Sequence, residues 1–206
     1  MLSQILSGLI TTTIILGFCL LFYRLRHKKF SGFLNYIGAY STNLRSVLTA
    51  TLLAISVLLC SLVGFSYLGL QNLVLNPNTP AWSLRLNGFS FREMGNIFVY
   101  AWVGTALWEE IFFRGFLAKR LIARMGFFSG NLCQAVIFGF LHVLMYHALK
   151  IYMLPTAYIL LFSIPTLLAY GMVYINEREA AGSILPGYVT HAVLNTLTPI
   201  AVAMFF

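Results

Sequence analysis

Long runs of apolar residues, separated by short polar or basic segments, dominate the pattern along the chain. A helix that crosses a bilayer needs about 20 mostly apolar residues, and these runs approach that length. The pattern predicts about six membrane-spanning helices, at about 3–23, 47–70, 94–113, 128–147, 155–175 and 184–205. The predicted fold is an all-α, polytopic transmembrane helical bundle.

Two places depart from a plain apolar pattern. The third run contains Glu109 and Glu110 near its end, and we expect its helix to continue past Arg114. The segment 71–93 contains Asn76-Pro77-Asn78-Thr79-Pro80, and these residue types predict a turn-rich loop.

Composition supports lipid as the solvent for most of the surface. Charged residues make up 9% of the chain and hydrophobic residues 60%, whereas a soluble domain is usually about 25% charged. The net charge is +8, and all five acids are glutamate. Because the basic residues cluster in short loops between apolar runs, they indicate topology and contact with anionic lipid, and we predict no nucleic-acid partner.

The loop charges predict an orientation. One side of the predicted bundle carries most of the basic residues, namely Arg24, Arg26, Lys28, Lys29, Arg45, Lys119, Arg120, Arg124 and Arg178. The other side carries only Arg85, Arg92 and Lys150. Cytoplasmic loops are enriched in Lys and Arg, so both termini are predicted outside, and the first, third and fifth connections in the cytoplasm.

The cysteines and the N-terminus exclude other classes of protein. Cys19, Cys60 and Cys133 lie singly inside apolar runs, without the spacing of a zinc site or a disulfide framework. The first four residues carry no basic side chain, so the first helix is predicted to stay in the membrane instead of being a cleaved signal peptide.

Ionisable residues inside membrane helices cost about 2.5–3.5 kcal/mol each on insertion scales and normally have a function. Glu110 and Arg114 are four residues apart and share one helical face, where they can pair. Glu109 is rotated by about 100° from Glu110 and has no partner in its own helix. A structural Glu–Arg pair with one interfacial glutamate is the alternative interpretation.

Two further helices carry polar groups. His142 lies in mid-helix, four residues after Phe138; alone, it is equally compatible with a ring that bonds a nearby carbonyl. His191 and Asn195 are four residues apart, so both can donate hydrogen bonds toward one point. Alone, this pair is compatible with polar contacts between membrane helices.

Together these groups describe water-mediated hydrolysis of an acyl bond. A carboxylate in an apolar wall becomes a stronger base because desolvation disfavours its charged form. Two side-chain donors aimed at one point suit the oxyanion that develops when a carbonyl is attacked.

Several motifs closely resemble those of the CPBP family, the prenyl-protein (CAAX) endopeptidases and bacteriocin-processing or self-immunity membrane proteins. In chain order they are Glu109-Glu110-Ile111-Phe112-Phe113-Arg114-Gly115, Phe138-x-x-x-His142, and Ser183-Ile184-Leu185-Pro186 leading to His191-x-x-x-Asn195. The resemblance covers about residues 94–200. It divides the chain into residues 1–93, with two transmembrane helices, a cytoplasmic basic loop and an outer loop, and residues 94–206, a four-helix catalytic core.

The resemblance implies a metal-independent glutamate protease without a cofactor, in the plasma (inner) membrane, with its site near the cytoplasmic side. Its substrate would be a membrane-associated peptide or protein, prenylated or of leader type. Glu109 would activate water and His142 would help to hold it. His191 and Asn195 would form the oxyanion hole, and Glu110, Arg114 and Phe138 would support the site.

Other kinds of intramembrane protease require residues or motifs that can be looked for in the sequence. It has no aspartate for an aspartyl protease and no H-E-x-x-H motif. Gly64-Phe65-Ser66 and Gly88-Phe89-Ser90 have a Gly-x-Ser arrangement, but a serine protease leaves Glu109 unexplained.

Three alternatives stay open at this point. Glu109, His142 and His191 are a legitimate zinc-ligand set. A non-catalytic immunity or binding protein would use the buried polar groups for recognition. A transporter would use them as a proton relay, although no internal repeat is visible.

Overall fold

Helices form all the regular structure that the computed structural model describes. The described residues are 2–67, 77, 79–148 and 155–206, with side chains described from residue 5 onward. The predicted end of the second span at 68–70, residues 71–76 and 78 of the predicted loop 71–93, and Lys150 therefore lie outside the described residues. The rest of that segment, predicted as a turn-rich loop, contains a helix at Pro80–Asn87. The helices are α1 (Leu2–His27), α2 (Phe33–Ile37), α3 (Leu44–Tyr67), α4 (Pro80–Asn87), α5 (91–125), α6 (Phe127–Ala148), α7 (Pro155–Glu179) and α8 (Leu185–Phe205).

Five of the described helices are long and apolar enough to cross a membrane. They are Ile5–His27 of α1, Leu44–Tyr67, Phe127–Ala148, Pro155–Glu179 and Leu185–Phe205. Each coincides with one of the predicted apolar runs. The prediction of a polytopic helical bundle is confirmed, and the chain is an integral membrane protein.

The remaining predicted span, 94–113, lies inside α5 and is helical, and the helix continues past Arg114 as expected. It falls outside the set of apolar spans because Glu109 and Glu110 reduce its hydropathy. Short segments of different pitch make up α5: Phe91–Val99, π-helical Tyr100–Ala106, Leu107–Glu109, π-helical Glu110–Ala118, and Lys119–Met125. π-Helical turns are rare and often occur at functional sites.

The interrupted helix α5 begins and ends at recognisable signals. The Ser90 hydroxyl accepts a hydrogen bond from the Glu93 backbone N–H at 3.3 Å, which caps the first turn. At the other end Gly126 adopts φ 78°, a conformation that favours glycine, and the chain turns into α6.

The helices pack so that α5 and α8 lie at the centre of the bundle. α6 runs along α7, α8 packs against α3 and against the first π-helical segment of α5, and α1 packs against α5. α6 and α7 approach closely at Gly139, where a Cβ atom would lie 2.6 Å from the carbonyl oxygen of Phe162. Small residues permit such contacts between membrane helices.

One end of the bundle is closed by what we call the basic-end cap, residues 33–40 together with the turn 180–184. The Ile184 backbone N–H donates to the Gly38 carbonyl at 2.9 Å, and the Ser183 hydroxyl donates to the Tyr40 carbonyl at 2.6 Å. Lys119 joins the cap through an ion pair with Glu177 at 2.6 Å. The cap therefore fixes the loops that follow α1 and α7 to the C-terminal part of α5.

The loop charges give the first testable prediction, on a background in which the three cysteines are replaced. Cysteine placed at Lys29 or Ala123, at the basic end, should react with an impermeant thiol reagent only after the membrane is opened. Cysteine at Phe91, which is 97% exposed, should react in intact cells. Labelling of position 29 or 123 in intact cells would contradict the orientation.

Candidate active site

A cavity of about 530 Å³ lies within the bundle and brings the four predicted catalytic residues together, with the predicted supporting residue Phe138 also in its wall. Its walls come mainly from α5, α6, α7 and α8. Polar side chains on three of these helices line it: Glu109 on α5, His142 on α6, and His191 and Asn195 on α8. Most of the remaining wall is apolar or aromatic, so the few polar groups face one another in a largely apolar space.

Glu109 ends the short segment Leu107–Glu109 between the two π-helical segments of α5. Its carboxylate lines the cavity, and its Oε2 lies 3.7 Å from Nε2 of His191. This separation is longer than a direct hydrogen bond. Glu109 is thus placed beside the histidine without a short bond to it.

Glu110 points away from the cavity and is fully buried. Its Oε1 lies 3.1 Å from Nη1 of Arg114 and 2.9 Å from Nδ1 of His191. Because a carboxylate only accepts, the His191 Nδ1–H is the donor. One carboxylate oxygen therefore balances the charge of Arg114 and orients the His191 ring.

Arg114 is the largest fully buried side chain of the described residues, and aromatic and sulfur contacts complete its surroundings. Its guanidinium carbon lies 4.2 Å from the centre of the Phe138 ring, a favourable cation–π geometry. Nη2 lies 3.8 Å from the Met172 sulfur. Phe138 also contacts the rings of His142 and His191, so it joins the ion pair to both histidines.

His142 has a defined donor and acceptor side. Its Nδ1 lies 2.9 Å from the carbonyl oxygen of Phe138, one turn earlier in α6. A carbonyl only accepts, so Nδ1 carries the hydrogen. In the neutral ring, Nε2 is therefore left with a lone pair that can accept a hydrogen bond.

Asn195 is held by Thr105, a residue that the sequence reasoning missed. The Asn195 Nδ2 donates to the Thr105 hydroxyl at 3.0 Å, and that hydroxyl donates to the Ala101 carbonyl at 3.2 Å. A carboxamide nitrogen has two hydrogens, so one remains for another acceptor. The sequence held one sign of this role: Thr105 precedes Glu109 by four residues, so the two side chains lie on the same side of the helix.

Asn176 is a second residue that the sequence reasoning missed. It is buried in the π-helical end of α7, and its Oδ1 accepts a hydrogen bond from the Gly187 backbone N–H at 3.0 Å. A Cβ atom on Gly187 would lie 2.6 Å from Oε2 of Glu110 and 2.8 Å from Nδ2 of Asn176. Asn176 therefore anchors the first turn of α8 beside Glu110, and a glycine permits the close approach.

The predicted catalytic side chains lie toward one end of the cavity. Counted at about 1.5 Å per residue, Glu109 lies about 15 Å along α5 from Lys119, and His191 lies about 9 Å along α8 from Leu185. Both are thus nearer to the basic-end cap than to the opposite ends of their helices. From these side chains the cavity extends the other way, toward Tyr146 and Val202.

A comparison with protein families decides the relationship. Residues 93–197 match the family model described as type II CAAX prenyl endopeptidase Rce1-like. The chain belongs to this Rce1-like family. The resemblance to CPBP proteins is thereby confirmed, and the matched region contains all the site residues named above. Neither the curated proteins nor the solved structures contain a match to this chain. The chain is thus a member of a family of membrane proteases.

The contact at Gly187 gives a prediction for stability. In the Gly187→Ala variant the new methyl group would displace the Glu110 carboxylate, which Arg114 and His191 hold in place. Overpacking of this kind typically costs about 1–3 kcal/mol, so the melting temperature should fall. The matched control is Gly95→Ala, because nothing lies within 4 Å of a Cβ atom there. Equal melting temperatures for the two variants would contradict the proposed packing.

Proposed function

We propose that this chain is an intramembrane endopeptidase that uses water activated by Glu109 to hydrolyse a peptide bond. Its substrate would be a membrane-associated peptide or protein, prenylated or carrying a leader. The observation that carries this proposal is the shared cavity, in which Glu109, His142, His191 and Asn195 meet from three helices. The membership of a protease family supports it.

The attacking water would lie between Glu109 and His142. The Glu109 carboxylate takes one proton of the water, while the lone pair on Nε2 of His142 accepts a hydrogen bond from the other. The water oxygen then bonds to the substrate carbonyl carbon. When the tetrahedral intermediate collapses, the C–N bond breaks and Glu109 returns its proton to the leaving amine. General-base catalysis of this type contributes about 10²–10⁴-fold.

The oxyanion would be stabilised by His191 and Asn195, which lie one turn apart on α8. Since His191 Nδ1–H donates to Glu110, Nε2 can donate to the oxyanion only when it also carries a proton. The bond to Glu110 holds the ring with Nε2 on the side of Glu109, 3.7 Å from that carboxylate. Asn195 supplies its second amide hydrogen. Donors fixed before reaction act strongly in a water-poor site.

The proposal extends to location and domain organisation. The basic end would face the cytoplasm of a plasma (inner) membrane, with the catalytic side chains in the half of the bundle nearer to that face. Residues 94–206 would form the catalytic core. Residues 1–93 would add the two helices α1 and α3, of which α1 supports α5 and α3 supports α8.

A zinc enzyme that uses Glu109, His142 and His191 is the competing mechanism. Among the residues described by the structure, no group of three or more His, Cys, Asp or Glu side chains is arranged to hold a metal ion. We predict that cleavage by the purified protein survives exhaustive chelation. Loss of cleavage with a chelator and its return with zinc would establish the metal mechanism instead.

The neighbouring glutamates should respond differently to the same substitution. Glu109→Gln keeps the shape of the side chain but removes the base, so cleavage should fall about 10²–10⁴-fold while folding is largely retained. Glu110→Gln leaves the Arg114 charge stranded, at a cost of about 3–5 kcal/mol, and it also weakens the bond to His191. Melting temperature and cleavage per folded molecule should be measured for both.

The matched control is the exposed Glu179→Gln, which should change neither quantity. The double variant Glu110→Gln with Arg114→Gln should be less destabilised than the sum of the single variants, because no charge is left unpaired. Cleavage can be followed in cells by comparing the termini of membrane-associated peptides with wild-type and Glu109→Gln protein. Wild-type cleavage by Glu109→Gln, with a folded but inactive Glu110→Gln, would reverse the two roles.

A further inference from the structure

A second pocket, separate from the cavity, lies at the basic end of the bundle, beside Tyr36 of the basic-end cap. It has a volume of about 370 Å³ and forms where α1 ends, beside α2 and the last turns of α5. Its lining is dominated by cationic and aromatic side chains: Arg26, His27, Tyr36, Lys119, Arg120, Ala123 and Arg124. None of these residues lines the cavity that holds Glu109.

Most of the positive charge of this pocket is not balanced by acidic side chains. All five acidic side chains of the chain are glutamates, and each lies within the part that the structure describes. Of these, Glu177 pairs with Lys119, whereas neither Arg26 nor Arg124 forms an ion pair with a described acidic side chain. The pocket thus concentrates positive charge that acidic side chains of the described residues balance only in part.

Arg120 provides a fixed cation in the wall of this pocket. Its guanidinium donates to the carbonyl oxygens of Gly115, Phe116 and Tyr36 at 2.7, 3.1 and 3.0 Å. It also lies 3.4 Å from the centre of the Tyr36 ring. These acceptors are neutral, so they orient the guanidinium without cancelling its charge. Burial lowers the pKa of Arg120, and the nearby Arg26 charge acts in the same direction.

The position of the pocket indicates where its ligand comes from. It lies at the end of the apolar helix Ile5–His27, where a membrane-spanning helix reaches the phosphate layer of the bilayer. Directly before it on α1, Leu21 and Leu25 are 58% and 66% exposed. Exposed leucines on a membrane helix contact acyl chains, so a lipid can place its chains along α1 and its headgroup in the pocket.

We propose that this pocket binds the phosphate group of an anionic phospholipid in the leaflet at the basic end. Arg26 and Arg124 supply exposed cations, and Arg120 supplies the fixed one. Guanidinium groups suit this ligand because their planar donors match phosphate oxygens. The site does not depend on the proposed protease activity, since it shares no residue with the cavity.

The test measures the melting temperature of the full chain in neutral detergent, titrated with phosphatidylglycerol. A ligand that binds only the folded state raises the melting temperature with its concentration, so wild type should be stabilised. Phosphatidylcholine at the same concentrations should have little effect. Two surface cations contribute about 1 kcal/mol each, so Arg26→Gln with Arg124→Gln should weaken phosphatidylglycerol binding roughly 30-fold.

The matched control is Lys28→Gln with Lys29→Gln, which removes two exposed cations of the same loop that do not line the pocket. It should bind phosphatidylglycerol within about threefold of wild type. Without lipid, all variants should melt near the wild-type temperature, because the substituted side chains are exposed and make no ion pair. If both double variants weakened phosphatidylglycerol binding equally, general charge attraction would explain the binding and the specific pocket would be refuted. Equal stabilisation by inorganic phosphate and phosphatidylglycerol would overturn the lipid as its ligand.

Discussion

The rest of the site depends on the contacts that the buried Glu110 carboxylate makes with Arg114 and His191. This carboxylate lies next to Arg114 on its own helix and next to His191 on α8, and all three side chains are buried. Removing one partner of such a pair leaves a charge stranded in an apolar interior, which typically costs about 3–5 kcal/mol. Arg114 extends the cluster to Phe138 on α6 and Met172 on α7. Four helices are therefore joined at one neutralised ion pair.

The surrounding structure determines which polar groups stay available for chemistry. Gly187 lets the first turn of α8 lie against Glu110, and Asn176 fixes that turn by a hydrogen bond. With Glu110 committed to the interior, Glu109 is left in the cavity wall without a short bond. Helical pitch changes on both sides of the segment that ends at Glu109. These changes occur where Glu109 faces the cavity and the adjacent Glu110 faces the interior.

The N-terminal helices α1–α4 lie outside the region that matches the family model, but they are part of the same structure. α1 approaches α5 so closely at Gly8 that a Cβ atom there would lie 2.6 Å from the Val103 carbonyl oxygen. The chain after α1 then forms the basic-end cap, which closes the bundle below the site. The end of α1, Tyr36 of the cap and the last turns of α5 also form the cationic pocket that we propose for anionic lipid.

The sequence by itself determined the features that involve a single helix. Apolar runs predicted the spanning helices, because lipid requires about 20 apolar residues with internally satisfied backbone. The four-residue spacing predicted that Glu110 would reach Arg114. Only the tertiary structure decided which faces meet: the bond from His191 to Glu110, the bond from Asn195 to Thr105, and the anchoring of α8 by Asn176. Such contacts depend on the angles at which helices cross and on how closely small residues let them approach. The spacing of residues along one helix does not determine the distances between side chains on different helices.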